Sequence, residues 1–337
     1  MSLTFLANLL RPTRRLVLVA AIWVGLTAAT RAGPYAPAAG QIGSMAIDKD
    51  DAAIAAWATG WENYAVGSHV DVEWQTPNKA LGAAQGTSFD VVSLGRGGEI
   101  TLTFDRPIRD GAGYDFAVFE NGFGDQFLEL AYVEVSSNGT DFFRFANDSL
   151  TAAAVSTYGT VDTTNVEGLA GKYRQGFGTP FDLAELSGVL SFLDVRQVTH
   201  VRILDIVGDG TFFDTSGDIL FDPFPTNGSG GFDLDAVGVF NVAAENADFN
   251  GDNLVDNGDL AIWEQRFGIM DNAPFQPGDA DGDSDVDGRD FLAWQRQLDQ
   301  GGLSLPPNTV PEPNPLVLLC VSLLAMLPMR HFPGDKG

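Results

Sequence analysis

Two short acidic segments constrain this chain more than any other feature of its sequence. DFNGDNLVD begins at Asp248, and DADGDSDVD begins at Asp279, 31 residues further along. Like charges repel, so neither segment can form a hydrophobic core of its own. The residues that recur at this offset are Asp248/Asp279, Gly251/Gly282, Asp252/Asp283, Val255/Val286, Asp256/Asp287, Asp259/Asp290 and Trp263/Trp294. A solvated acidic linker would not repeat the valine and the tryptophan, which indicates a folded unit present in two copies.

The spacing of the acids is typical of a calcium-binding loop. Calcium takes roughly six to eight oxygen ligands, and a twelve-residue loop supplies them from positions 1, 3, 5, 7, 9 and 12. Those positions are Asp248, Asn250, Asp252, Leu254, Asp256 and Asp259 in the first loop, and Asp279, Asp281, Asp283, Asp285, Asp287 and Asp290 in the second loop. Position 7 supplies its backbone carbonyl, so Leu254 is compatible with binding and Asp285 is expected to act through its carbonyl. The sequence therefore predicts two calcium ions.

Each loop runs into an amphipathic stretch with the spacing of one helical face. The apolar residues at i, i+3 and i+7 are Leu260, Trp263 and Phe267 in the first copy, and Phe291, Trp294 and Leu298 in the second. No helix-forming run precedes either loop, which predicts a loop–helix unit. At position 6, where glycine is common, the chain has Asn253 and Ser284. Asparagine tolerates the left-handed backbone better than serine does.

Over residues 247–298 the chain resembles the type I dockerin. The resemblance implies two loop–helix repeats that bind calcium, fold as a pseudo-symmetric pair and dock into a cohesin module. Recognition in that family commonly involves loop positions 10 and 11, here Asn257 and Gly258, then Gly288 and Arg289. Because the two copies differ there, two alternatives stay open. Either the partner is a cohesin-like protein, or the module only stabilises its neighbour.

The N-terminal segment is predicted to be a secretory signal peptide, residues 1–32. RPTRRLVLVAAIWVGLTAATRAG has a basic stretch, an apolar run from Leu16 and small residues before a plausible cut after Ala32. The apolar run is short for a membrane span of roughly 20 residues. A buried helix or a membrane anchor is the alternative.

The other end resembles the PEP-CTERM sorting signal of bacterial surface proteins. VPEP at 310–313 is followed by PLVLLCVSLLAMLPM and then by Arg330 and His331. The resemblance implies a linker at 301–313 and a hydrophobic sorting tail at 314–337 that an exosortase processes. A simple C-terminal membrane anchor is the alternative. The expected location is the cell envelope, the cell surface or the extracellular matrix.

The charge balance argues against some partners. The chain has 45 acids against 19 bases and a formal net charge of −26, which repels nucleic acid and anionic lipid and attracts divalent cations. Contact with a membrane is expected only through the terminal apolar segments. The single cysteine, Cys320, lies in the tail, so the mature part can form no internal disulfide. Bound calcium is an available substitute in an exported protein.

Residues 33–243 are predicted to form an all-β jelly-roll or β-sandwich domain, followed by a small all-α dockerin-like module at 244–300. Alternating apolar residues mark strands in GEITLTF (98–104), VTHVRILDI (198–206) and FDLDAVGVFNV (232–242). YDFAVFE and LELAYVEVSS also have strand length. VEVSSNGTDFFRF contains two alternating runs around Asn138-Gly139, a strong hairpin signal. Many short strands with glycine-rich turns favour a sandwich.

Two segments of this region are predicted to be helical. Trp57, Trp61 and Tyr64 lie at i, i+4 and i+7 in WATGWENY. That spacing suits a helical face against a sheet better than a platform for sugars. PFDLAEL (180–186) has room for two helical turns.

The hairpin and GGFDLDAVGVF resemble galactose-binding-like and carbohydrate-binding jelly rolls, and VFENGF resembles a segment of PEP-CTERM surface proteins. The resemblance implies a β-sandwich in which some members hold a structural calcium near a terminal strand. It also leaves an extracellular polysaccharide open as a partner. The candidate oxygen donors for a third calcium are Asp233, Asp235, Asp209, Asp214, Asp218 and Asp222. Turn-forming, solvated aspartates are an equal alternative.

Signals for catalysis are few. His69 and His200 have no partner at ligand spacing, which argues against zinc. Glu120, Glu129 and Glu134 could supply a pair of carboxylates for glycoside hydrolysis, but any acidic chain offers such pairs. The sequence favours a non-catalytic binding or structural protein. A secreted polysaccharide hydrolase or a carbohydrate-binding protein that uses the sandwich is the alternative.

Overall fold

The computed structural model describes residues 32–188, 192–270, 276–283 and 285–298. Apart from Ala32, the predicted signal peptide lies outside these residues, as do the linker at 301–313, the sorting tail and Ser284. The strands are β1 (Ile47–Asp48), β2 (Ala56–Trp57), β3 (Gly60–Ala65), β4 (Val92–Ser93), β5 (Glu99–Ile108), β6 (Phe116–Glu120), β7 (Ala131–Ser136), β8 (Phe143–Arg144), β9 (Asp148–Ser149), β10 (Val166–Glu167), β11 (Phe177–Phe181), β12 (Val198–Asp205) and β13 (Asp233–Val239). Within the described residues two α-helices follow, α1 (Asn257–Arg266) and α2 (Gly288–Leu298).

The strands form two larger antiparallel sheets, which is consistent with a β-sandwich. The first sheet has the order β1–β11–β6–β13–β2, with β4 also paired to β13, and the second has the order β3–β5–β12–β7–β8. Apolar side chains of both sheets share one core, to which Val118 and Val237 contribute from the first sheet and Leu102 and Ile203 from the second. Burial of this apolar surface is the main stabilising contribution to the fold.

Most strands predicted from alternation are confirmed. The segments at 98–104, 198–206 and 232–242 contain or overlap β5, β12 and β13. The predicted hairpin is confirmed too, since Glu134 of β7 pairs with Arg144 of β8 and Gly139 between them has a φ of 69°. A positive φ is accessible to glycine without a steric penalty, which is why this residue can turn the chain.

The predicted helix at Trp57, Trp61 and Tyr64 is wrong. Trp57 ends β2, and the other two residues lie in β3. The i, i+4, i+7 spacing spans two short strands, and the rings pack locally: Trp57 contacts Phe119 at a centroid distance of 5.5 Å, and Trp61 meets Tyr64 at 6.4 Å. In PFDLAEL only Leu183–Leu186 is helical, as a single 3₁₀ turn. Among the described residues, no helix combines the length and the hydropathy that a membrane span requires.

The segment 241–247, which joins the sheets to the helices, is hydrogen-bonded near both ends. The carbonyl of Asn241 accepts from the backbone N–H of Arg109 at 2.9 Å, directly after β5. The backbone N–H of Asn246 donates to the carbonyl of Ala280 in the second loop at 2.8 Å. The joining segment is therefore tied to both parts of the chain.

Asp205, at the end of β12, is hydrogen-bonded to two other segments of the chain. Its burial predicts that the stability of the fold depends on pH. Its two carboxylate oxygens accept from the backbone N–H groups of Gly97 at 2.8 Å and Phe232 at 2.7 Å. Burial raises its pKa from 3.8 to about 7. An acid whose pKa is higher in the folded state stabilises the fold only while it is protonated. In calcium-free buffer, the free energy of unfolding should therefore fall as the pH rises from about 4 to about 7.

Urea unfolding across this pH range tests the assignment with two variants. Asp205→Asn should flatten the pH dependence, because it removes one of the groups that titrate in this window. Asp209→Asn, which changes an exposed aspartate, is the control and should leave the slope intact. An unchanged slope in Asp205→Asn would assign the titration to other groups.

Candidate metal centre

The second loop gathers its carboxylates into two groups. Within each group, one oxygen of every side chain lies within 4.8 Å of the others. The groups are Asp279, Asp281 and Asp283, then Asp285, Asp287 and Asp290. Burial, together with the neighbouring charges of Asp283, Asp290 and Asp279, raises the pKa of Asp281 to about 8. Such a concentration of oxygen donors could hold a metal ion, since a cation offsets the mutual repulsion.

Asp290, at position 12, fixes the shape of the second loop. Its Oδ1 accepts from the backbone N–H of Ala280 at 2.6 Å and of Asp281 at 3.4 Å, and its Oδ2 accepts from that of Asp287 at 2.7 Å. The side chain is fully buried. The residue therefore draws the two ends of the loop together while its oxygens face the other acids.

Asp259 repeats these contacts in the first loop. It accepts from the backbone N–H groups of Phe249 and Asn250 through Oδ1 and of Asp256 through Oδ2, at 2.8, 3.1 and 2.9 Å. Asn253 has a φ of 66°, which confirms the expected left-handed position 6. Unlike the second loop, the first is not among the groups of three described carboxylates that converge within 4.8 Å. The two copies thus share a backbone arrangement and differ in carboxylate density.

One tryptophan of each helix donates a hydrogen bond to the loop of the other repeat. Trp263 of α1 donates its indole N–H to the carbonyl of Asp287 at 2.8 Å, and Trp294 of α2 donates to the carbonyl of Asp256 at 2.8 Å. Both carbonyls belong to position 9 of their loops. The ring of Trp263 also packs against Phe291 at a centroid distance of 4.9 Å. The geometry of each loop therefore depends on the helix of the other repeat.

The predicted helical stripes pack together, with one exception. Trp294 is buried, and Leu260, Phe291 and Leu298 pack around it. Phe267 was expected to extend the first stripe, but α1 ends at Arg266 and the Phe267 side chain is 60% exposed. Phe267 is the C-terminal capping residue of α1. The backbone leaves the helical conformation there, so the side chain is no longer directed toward the contact between the two helices.

The second loop faces the second sheet. Nη1 of Arg289 lies 3.3 Å from Oδ2 of Asp283 and 3.9 Å from Oδ1 of Asp105 in β5. A cleft between the loop and the sheet is lined by Glu62 and His200 as well as by these aspartates. Position 11 of the second copy therefore contacts the chain's own β region.

A third acidic group was not anticipated from the sequence. Asp110, Asp115 and Asp182 bring one carboxylate oxygen each within 4.8 Å of the others. Asp110 and Asp115 lie in the connection between β5 and β6, whereas Asp182 follows β11, so no local spacing indicates that Asp182 approaches the other two. Asp115 is buried and accepts from the backbone N–H groups of Gly111 and Leu183 and from the side chain of Asn241. Its negative charge is thus already stabilised by three donors.

Most candidate donors of the β region serve as turn or backbone acceptors. Asp209 accepts from Thr211, and Asp214 accepts from Ser216 and Asp218, all within one loop. Asp222 accepts from the backbone N–H of Leu130 at 2.9 Å. Asp218 is exposed. These contacts favour the turn-forming alternative for this loop.

No family model matches the sequence, and no curated protein matches it. The geometry of the acidic loops and of the buried carboxylates is therefore the basis for a functional interpretation.

Proposed function

We propose that the chain is an exported, surface-associated binding or structural protein whose residues 244–300 form a calcium-dependent, dockerin-like interaction module. The observation that carries this proposal is the second loop, in which six carboxylates converge in two groups of three. Their spacing is that of a twelve-residue calcium loop and recurs 31 residues earlier. Two terminal sequence signals support export and sorting by an exosortase.

The donor set favours calcium over other metals. All side-chain ligands at the six positions are carboxylate or amide oxygens, which are hard donors, and neither loop contains a histidine or a cysteine. Oδ1 of Asp285 is buried without a hydrogen-bond partner. Its carboxylate therefore offers the second loop an additional donor that Leu254 cannot offer the first. Magnesium prefers a smaller, water-rich octahedral site, which a loop with this many carboxylates does not resemble.

A cohesin-like protein is the proposed partner, and loop positions 10 and 11 are exposed in both repeats. Asn257 and Gly258, at positions 10 and 11 of the first loop, are exposed. The equivalent Arg289 in the second repeat contacts Asp105 of the β region. A partner that binds these positions in the second repeat would have to displace this ion pair. An extracellular polysaccharide stays a proposal for the β region.

A hydrolase gains no support from the three candidate glutamates. Glu120 and Glu129 are buried, and Glu134 is held by ion pairs with Arg144 and Arg202. A substrate would need direct access to at least two carboxyl groups. We therefore do not propose a hydrolase activity.

Calorimetric titration of the full chain with calcium tests the loops. We expect Asp248→Ala and Asp279→Ala each to remove about one bound ion with affinity tighter than about 1 mM, because each deletes the position-1 ligand. Asp209→Ala, at an exposed aspartate of the β region, is the control and should leave the stoichiometry unchanged. Two loop variants with the stoichiometry of the unaltered chain would contradict the proposal.

The interaction is tested separately by surface plasmon resonance against a panel of cohesin modules, in calcium and in EDTA. We expect binding in calcium that is lost in EDTA and weakened by exchange of Asn257. Calcium binding without any cohesin binding would support the alternative in which the module only stabilises its neighbour.

A further inference from the structure

Five asparagines of this chain are followed directly by glycine. The pairs begin at Asn121, Asn138, Asn227, Asn250 and Asn257. An Asn-Gly pair is chemically labile, because the amide nitrogen of glycine, unhindered by a Cβ, can attack the side-chain carbonyl carbon of the asparagine before it. The attack requires the glycine N–H to give up its proton. The hydrogen bonds of these five N–H groups therefore determine which pair stays reactive in the folded chain.

Four of the five glycine N–H groups donate hydrogen bonds. The acceptor is a carboxylate oxygen for Gly122, Gly251 and Gly258, at 2.6, 2.8 and 2.6 Å, and a backbone carbonyl for Gly228, at 3.0 Å. An N–H that donates to a carboxylate is harder to deprotonate, because the loss of its proton would place two negative charges side by side. Within the described residues, the N–H of Gly139 has no hydrogen-bond acceptor. The Asn138-Gly139 pair thus differs from the other four.

The side chain of Asn138 is held in place along this turn. Its Oδ1 accepts from the backbone N–H groups of Thr140 and Asp141, both at 2.9 Å, and from the hydroxyl of Ser136 at 3.1 Å. Its Nδ2 donates to Oδ2 of Asp141 at 3.0 Å. When a nitrogen attacks an amide carbon, negative charge develops on the amide oxygen, and fixed N–H donors at that oxygen stabilise the transition state. The two backbone N–H groups therefore lie where an oxyanion hole would be needed.

The imidazole of His200, in β12, lies against Gly139. A Cβ built on Gly139 would lie 3.0 Å from Cε1 and 3.1 Å from Nε2 of this ring. On the other side of the ring, Nδ1 lies 2.7 Å from Oγ1 of Thr199, whose hydroxyl donates to the carbonyl of Ser136 at 3.4 Å. Because that hydroxyl proton is already used, Nδ1 carries the ring proton and Nε2 has the free lone pair. The free lone pair is thus on the nitrogen nearer to Gly139.

The surroundings of His200 favour its neutral form. Burial is the largest influence and lowers its pKa, whereas the carboxylate of Glu62, whose Oε1 lies 3.6 Å from Nε2, acts in the opposite direction. The ring of Phe142 packs edge-on against the imidazole at a centroid distance of 6.3 Å. A fixed, neutral imidazole near neutral pH can accept a proton from a neighbouring group.

We propose that Asn138-Gly139 is a site of spontaneous deamidation that the fold promotes, with His200 as the base. Nε2 takes the N–H proton of Gly139, and the Gly139 nitrogen forms a bond to Cγ of Asn138. The backbone N–H groups of Thr140 and Asp141 stabilise the oxyanion that develops on Oδ1. The bond from Cγ to Nδ2 then breaks, the imidazolium returns the proton to this nitrogen, and ammonia leaves.

The product of this step is a succinimide ring, which water opens at either of its two carbonyl groups. Opening leaves aspartate or isoaspartate at position 138. Water is the only co-reactant, so the reaction requires no oxidant, reductant or cofactor. It is also independent of the function proposed above, because neither calcium nor a partner takes part.

The reaction would change the charge of the cleft between the second sheet and the second acidic loop. Asn138 and Gly139 line this cleft together with Glu62, Asp105 and Asp283. Conversion of the neutral amide to a carboxylate adds one negative charge to a cleft that is already acidic. Isoaspartate also adds a methylene group to the main chain, at the turn between β7 and β8.

Peptide mapping by mass spectrometry, after storage of the full chain in heavy-oxygen water, measures the conversion of each Asn-Gly pair. The reference is the same chain in guanidinium chloride, where only the local sequence sets the rate. We expect Asn138 to react at least about tenfold faster in the folded chain, because the base and the oxyanion donors are positioned only there. Asn121, which is buried, is the internal control and should react more slowly when folded. A folded chain in which Asn138 reacts no faster than in guanidinium chloride overturns the proposal.

His200→Asn tests the base. In the folded variant the rate at Asn138 should fall by about tenfold or more, and free imidazole in the buffer should restore part of it, which a purely structural role would not produce. His69→Asn, at an exposed histidine, is the matched control and should leave the rate at Asn138 unchanged. A folded His200→Asn chain with the unaltered rate would also overturn the proposal. If this variant fails to fold, the comparison of the folded and denatured chain still decides.

Discussion

Replacing Asp290 with alanine is expected to unfold the second loop together with α2, even in EDTA. The substitution removes the acceptor of three backbone N–H groups, those of Ala280, Asp281 and Asp287. A buried donor left unpaired costs about 1–3 kcal/mol, so the total loss is about 3 kcal/mol or more. Two short helices with a small apolar contact surface have a free energy of unfolding that is little larger than this loss. Hydrogen exchange of residues 279–298, followed by mass spectrometry, measures the effect.

Asp283→Ala is the matched control for this experiment. Among the described residues, its Oδ1 accepts from the backbone N–H of Asp285 and its Oδ2 from the exposed Arg289, so the metal-free loop loses fewer buried hydrogen bonds. We expect Asp283→Ala to weaken calcium binding while exchange in EDTA stays close to that of the unaltered chain. Equal protection of α2 in Asp290→Ala and in the unaltered chain would show that position 12 acts on the ion alone.

Replacing Trp294 with alanine is expected to destabilise both repeats. Deletion of a buried tryptophan side chain typically costs about 3–5 kcal/mol, and here it also removes one of the two donors to the carbonyl of Asp256, the other being the backbone N–H of Leu260. The substitution therefore affects both the packing between the two helices and the carbonyl at position 9 of the first loop. Thermal unfolding followed by near-ultraviolet circular dichroism measures the loss of stability, and calcium titration measures the effect on the loops.

Trp294→Phe separates the hydrogen bond from the packing. Phenylalanine keeps an aromatic ring beside Phe291, which lies at a centroid distance of 5.6 Å from the indole, but it cannot donate. With the second loop disabled by Asp279→Ala, we expect first-loop calcium affinity to fall by about tenfold, as is typical when a residue that orients a ligand is lost. Trp263→Phe, which acts on Asp287, should leave the first loop nearly unchanged. Equal effects of both variants on the first loop would mean that the tryptophans act through general packing.

The sequence was informative where a short period or a fixed spacing determines the structure. Alternation placed β5, β12 and β13, because successive side chains of a strand point to opposite faces. The hairpin at Asn138-Gly139 followed from its turn residues. Asn253 was expected in the left-handed region and lies there. The twelve positions of the acidic loops could be proposed from spacing alone, because a calcium loop draws its ligands from contiguous residues.

Features that depend on distant contacts could not be predicted in this way. The spacing of Trp57, Trp61 and Tyr64 fits a helix as well as two short strands, and only pairing with neighbouring strands decides between them. Asp115 and Asp182 meet because β6 and β11 are paired in the first sheet, with Phe116 opposite Phe181. Nothing in VFENGF distinguishes a buried Glu120 from an exposed one. The hydrogen bonds from each tryptophan to the loop of the other repeat could be predicted only from how the two repeats face each other.

The joining segment 241–247 has a mechanical consequence. It leaves β13 and is bonded to Arg109 directly after β5, and both strands have neighbours on each side within their sheets. Tension applied to the helices would therefore enter the fold through interior strands, where several rows of hydrogen bonds resist it together. An edge strand would instead be peeled away one bond at a time. If the chain is held at its C-terminal end, as proposed, a pulling force would therefore act on these interior strands.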